Sequence, residues 1–109
     1  MLELSEQQIA ILERLRERGF ALVAFPLYAS YIGVRRGECA ALLAPVSGGG
    51  LRPHGDAFVL LNGNPAVRIM RNGRDAFVWK GSELAATPER IAALAAFSES
   101  LAECLLASV

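Results

Sequence analysis

The chain has 109 residues, enough for one domain with little left for a second. Hydrophobic residues make up 53% of it, more than a disordered chain carries, and 11 basic residues balance 11 acidic ones to a formal net charge of zero. Such a balance argues against nucleic acid or an anionic membrane as partner, and it leaves little repulsion to oppose self-association.

Residues 1–109 are therefore read as a single domain. Cys39 and Cys104 are too few for a disulfide framework and too far apart for a metal-ligand pair, so both are expected to be reduced and buried. No cofactor and no metal are expected. The opening "MLELSEQQ" has neither the basic nor the apolar region of a secretory signal, and no run of eighteen apolar residues occurs. A cytoplasmic protein is expected by default.

The first predicted element is a helix over about 5–18. Ser5 and Gln8 have capping-box spacing, and Glu6 suits the positive helix end. Leu4, Ile11, Leu12 and Leu15 form its apolar stripe, and Gly19 is a natural residue just past its end. From Phe20 the pattern becomes that of strands. "FALVAF" stops at Pro26, "LYASYIGV" follows, "RRGE" is a turn, and "CAALLAPV" is a third strand despite its alanines. No helix of useful length fits between 45 and 56.

After the loop "SGGGLRPHGD" comes a second meander, "DAFVLLNGNPAVRIMRNGRDAFVWK". Its two Asn-Gly steps predict hairpins at 62–65 and 72–73, pairing Leu60 with Val67 and Ile69 with Ala76. Alternation puts Phe58, Leu60, Val67, Ile69, Ala76 and Val78 on one face, read as the cleaner core. The other face holds Ala57, Val59, Leu61, Arg68, Met70, Asp75, Phe77 and Trp79. The last element is a helix starting at Thr87 as N-cap, with Pro88 and Glu89 in its first turn. Ile91, Leu94, Ser98, Leu101 and Leu105, widened by Phe97 and Cys104, predict cover on more than one side. The fold expected is α+β: an antiparallel sheet of about six strands, as two three-stranded meanders, flanked by an N-terminal and a C-terminal helix.

Two surfaces invite a functional reading. In the glycine loop, Gly48, Gly49 and Gly50 could turn backbone N–H groups to an anion, with Arg52 and His54 beside them. The glycine spacing matches neither the phosphate loop of nucleotide hydrolases nor the dinucleotide fingerprint, and a lone histidine specifies no catalytic triad or ligand set. Arg35, Arg36, Arg71 and Arg74 sit at predicted hairpin tips, but nucleic-acid binding finds no support in the net charge. The second surface is the other face of the meander. Val59, Leu61, Met70, Phe77 and Trp79 left bare would expose a large apolar patch, and Arg68 fits an interface. The function expected is therefore a non-catalytic interaction domain, a homodimer or the binder of another protein, using that sheet face or the C-terminal helix. The alternative is a small-ligand or anion-binding protein, enzymes included, using loop 47–56.

Overall fold

The computed structural model describes residues 4–47 and 49–106. The order is α1 (Glu6–Glu17), β1 (Ala21–Val23), a 3-10 turn (Pro26–Tyr28), β2 (Ile32–Arg36), β3 (Cys39–Pro45), β4 (Leu51–Pro53), β5 (Phe58–Leu61), β6 (Asn64–Pro65), β7 (Val67–Arg71), β8 (Arg74–Trp79), β9 (Ser82–Ala85) and α2 (Pro88–Leu106). The architecture is α+β, as expected. It holds a six-stranded antiparallel sheet of β1 to β6 and a separate three-stranded sheet of β7, β8 and β9. No helix among the described residues is long and apolar enough to cross a membrane.

The capping box of α1 is formed in both directions: Gln8 N donates to Ser5 Oγ at 3.1 Å and Ser5 N to Gln8 Oε1 at 2.9 Å. Ile11, Leu12 and Leu15 are buried against the six-stranded sheet. α2 begins as its sequence predicts, with Arg90 N donating to Thr87 Oγ1. It buries Phe97, Leu101 and Cys104 in the same cluster as α1, and Phe97 meets Phe20 edge-on at 5.3 Å. Within the single chain α2 is covered on one side only. Ser98 and the alanines at 92, 95, 96 and 102 are exposed. Alanine is the strongest helix former, so these positions favour the helix without burial in the chain itself.

β3 is the central strand. It pairs with β2 along one edge, and with both β5 and β4 along the other. Its alanine-rich sequence follows from cover on both faces. Cys39, Ala41 and Leu43 meet the helices, while Ala40 and Leu42 meet Phe25 and Leu60 on the outer face. Small side chains suit a strand sandwiched in this way. The stretch "LYASYIGV" is a strand only from Ile32. Pro26 instead opens a 3-10 turn, and the connection lays Phe25 over the outer face, edge-on to Phe58 at 5.6 Å.

The second meander departs from expectation at Pro65. The Asn62-Gly63 turn is a tight hairpin with positive φ at both residues (53° and 80°), which pairs Leu61 with Asn64 and Leu60 with Pro65, not with Val67. Pro65 stands at the non-bonded position of this hairpin, where a missing N–H costs no ladder bond; Ala66 N still donates to Val59 O at 2.9 Å, and the chain then departs into the second sheet. Ile69 does pair with Ala76. A further hairpin, turning at Lys80-Gly81, adds β9. The second sheet meets the rest of the chain mainly through β5. The whole is elongated, 47 × 26 × 20 Å, with a radius of gyration of 14.6 Å. A compact chain of this length has about 13 Å.

The core of this meander draws on both expected faces: Leu60 and Ala76 are buried as expected, but so are two residues of the other face. Val59 and Phe77, assigned to the second face, are 2% and 1% exposed and pack with Ala66, Leu61, Leu84 and Leu94. Val67, assigned to the core face, is 59% exposed. Alternation sorts the side chains within each strand, but β5 and β7–β8 lie in different sheets, and the packing of β5 and α2 decides which residues face inward.

Candidate functional site

The glycine loop is the turn of a β3–β4 hairpin. Pro45 pairs with Leu51, Ala44 with Arg52 and Leu43 with Pro53. Val46 N donates to Gly50 O at 2.8 Å and Gly49 N to Val46 O at 3.0 Å, so these two N–H groups are committed inside the loop. Gly48 lies outside the described residues. Gly49 has φ 114°, a backbone angle that other residues rarely adopt, so glycine has a structural reason to be at this position. Gln8 fastens the loop from below: its buried Nε2 donates to Gly50 O at 3.0 Å and, at 3.5 Å, to Val46 O. One side chain thus caps a helix and holds a turn some forty residues away in the chain. Sequence reasoning found Gln8 only as a cap, because nothing local announces a contact over that separation.

Arg52 and His54 are both exposed at the end of this hairpin. His54 N donates to Leu42 O at 2.8 Å, and its ring stacks on Tyr31 with centroids 3.9 Å apart and planes 16° from parallel. His54 also helps to line a groove of about 300 Å³ with Tyr28, Phe58, Val67 and Trp79. The structure therefore joins His54 to Trp79, two residues that the sequence left on different candidate surfaces.

The arginines at the β2–β3 turn belong to the body of the fold. The Arg36 guanidinium lies 4.5 Å from the centre of the Phe20 ring, and Arg35 Nη2 donates to Gly37 O. The side chain of Arg71 lies outside what the structure describes. A cleft of about 340 Å³ opens between this turn and α2, with Arg36 and Arg90 at its sides and Cys39 at its buried end. Burial, and then the neighbouring Glu38 carboxylate, raise the Cys39 thiol above its ordinary pKa, which keeps it protonated and unreactive. Among the described residues, no group of three or more His, Cys, Asp or Glu side chains could share a metal ion.

The six residues proposed from sequence as an interface separate into two sets. Val59 and Phe77 are inside the chain, as described above, and so cannot contribute to an outer surface. Leu61 and Trp79 are half-buried, and Arg68 and Met70 are exposed. Arg68 is not a free cation: its Nε donates to both carboxylate oxygens of Asp75, at 3.0 and 3.1 Å. The contact holds the Asp75 carboxyl below its ordinary pKa and the Arg68 guanidinium above its own. Met70 is 68% exposed. On the opposite face of the same sheet, Val67 is exposed and Ile69 and Val78 are half-buried. Among the described residues, none of these last three belongs to a core cluster.

No protein-family model, curated protein or solved structure matches the chain.

Proposed function

We propose that this chain is an interaction domain whose partner is a second copy of itself, held through the three-stranded sheet. The observation that carries the reading is β7. It is an edge strand with no pairing on its outer side among the described residues, and it presents Val67 and Met70 at 59% and 68% exposure. Edge strands are ordinarily protected by charged side chains, lysine above all, and by proline, bulges or overlying structure, because their free N–H and C=O groups recruit other strands. β7 reads Val-Arg-Ile-Met-Arg: it has no lysine or proline, and of its two charges Arg68 is taken up by Asp75 within the sheet. Exposed apolar side chains beside free backbone groups favour a docked strand, and the zero net charge leaves little to oppose it.

Sedimentation equilibrium between roughly 1 and 100 µM tests this, over the range in which modest interfaces form. Twice the chain mass is expected at the upper end. Val67→Lys should weaken association by about tenfold or more without lowering stability, since Val67 supports no core cluster and lysine is the residue that natural edges use. A strictly monomeric wild type, or a Val67→Lys protein that associates as well as its parent, would remove the proposal.

A small-ligand site is supported by a different observation: His54, held flat by its stack on Tyr31, lines a groove with Tyr28, Phe58 and Trp79. Phosphates, nucleotides and carboxylates should then raise the melting temperature by mass action. His54→Ala and Arg52→Ala should abolish the shift. Shifts that survive both substitutions would sink this second reading.

A further inference from the structure

We infer that the second copy docks by antiparallel pairing of β7 with its own counterpart, centred on Ile69, so that two three-stranded sheets become one. This rests on the self-association proposed above and specifies its geometry. The Asn72-Gly73 turn has φ 52° and 74°, the signature of a two-residue hairpin, and Arg71 and Arg74 flank it as partners. In such a hairpin the flanking pair exchanges both backbone hydrogen bonds, and hydrogen-bonded pairs alternate with non-bonded ones. Arg71, Ile69 and Val67 therefore bond to β8. Arg68 and Met70 direct their N–H and C=O groups away from β8, toward the open edge.

That alternation restricts the registers available to two identical strands. A register that pairs Arg68 with Arg71, or Ile69 with Met70, would oppose an outward-facing residue to an inward-facing one, and the ladder could not form. Registers centred on a residue remain. Centring on Arg68 sets that guanidinium against its own copy, and like charges directly opposite are destabilising. Centring on Met70 leaves Val67 without a partner within the strand and brings in the turn. Centring on Ile69 uses all of Val67–Arg71. Arg68 then faces Met70 and exchanges both bonds with it, Val67 faces Arg71, and Ile69 faces Ile69 as a non-bonded pair. No arginine opposes an arginine, and Arg68 is already partnered by Asp75 on β8.

The other strands paired on one side fit less well. β1 and β4 offer only three residues each and β6 two, with proline in β4 and β6, and β9 carries the polar residues Ser82 and Glu83. β7 is longer and exposes more apolar surface.

Single-cysteine variants read the register directly. Facing non-bonded residues have Cα atoms about 4.5 Å apart, within disulfide reach, and the native Cys39 and Cys104 are buried. Under mild oxidation Ile69→Cys is expected to form a covalent dimer. Val67→Cys and Met70→Cys should remain without cross-link, because their opposites are Arg71 and Arg68. In parallel, amide exchange at Arg68 and Met70 of the unmodified protein should slow by about tenfold or more as concentration rises. Ile69, bonded to β8 in either state, should change far less. A protein that is dimeric by sedimentation but cross-links at 67 or 70 in place of 69, or shows no concentration-dependent protection at Arg68 and Met70, overturns this geometry and leaves self-association standing. A wild type that is monomeric throughout removes both.

Discussion

Phe77→Ala is expected to lower stability by about 3–5 kcal/mol, the usual cost of emptying a buried aromatic site. Phe77 is the largest fully buried side chain of the second sheet, packed with Val59, Ala66, Leu84 and Leu94. Its neighbours come from β5, from β9 and from α2, so the cavity opens at the junction of the two sheets. Loss on this scale should lower the melting temperature by more than ten degrees, at about 4–8 °C per kcal/mol for a chain near this size. Urea unfolding gives the magnitude, and hydrogen exchange gives the location. Amides of β7, β8 and β9 should lose protection first, while β2 and β3 keep theirs. Phe77→Leu, which fills most of the volume, should cost far less. Self-association should fall in the alanine variant even though Phe77 touches no outer surface, because an edge strand that frays cannot act as a template. Equal loss of protection in both sheets would show that they unfold as one unit.

Much of this architecture was legible where the deciding interaction is local. Ser5 and Gln8 announce the start of α1 because both groups of the capping box lie within four residues. Thr87-Pro88-Glu89 announces α2 in the same way. Asn72-Gly73 fixes the Ile69–Ala76 pairing, since few other dipeptides tolerate two positive φ angles. Lys80-Gly81 makes the same kind of turn, with φ 40° and 85°, and it was missed. Lysine rarely adopts that conformation, so its sequence carries no signal except the glycine. With the turn missed, β9 was missed as well.

The candidate surfaces were legible only in part, and the reason is physical. Period-two alternation sorts side chains into two groups but cannot say which group the rest of the chain will cover. Val59 and Phe77 became core because α2 returns over β5 and places Leu94 against them. Val67 stayed outside for the same reason. The glycine loop was recognisable as a turn, yet what holds it is Gln8, over a separation that no spacing rule reaches. The His54–Tyr31 stack likewise joins two connections that the sequence keeps apart.

Gly33→Ala tests the outer layer of the main sheet, and it should destabilise the chain by about 3 kcal/mol or more although it adds one methyl group. Gly33 lies in β2 opposite Val23, and a Cβ there would stand 2.3 Å from Val23 O and 2.8 Å from two carbons of the Phe25 ring. A ring can rotate aside, but a carbonyl held in a ladder cannot, so β1 would have to separate from β2. Gly37→Ala makes the useful contrast. Its φ is +63°, which strains any other residue, but a Cβ there meets nothing within 4 Å. A cost of about 1 kcal/mol is expected. Urea midpoints should therefore rank Gly33→Ala well below Gly37→Ala, although only Gly37 has an unusual backbone angle. The reverse order would mean that β1 is loosely held. Phe25→Leu added to Gly33→Ala should restore only part of the loss, because it relieves the ring contact and not the carbonyl. The same variant separates the two functional readings. Phe25 and Tyr31 belong to one outer cluster, so its disturbance should loosen the His54 stack. β7 lies in the other sheet, and its self-association should persist.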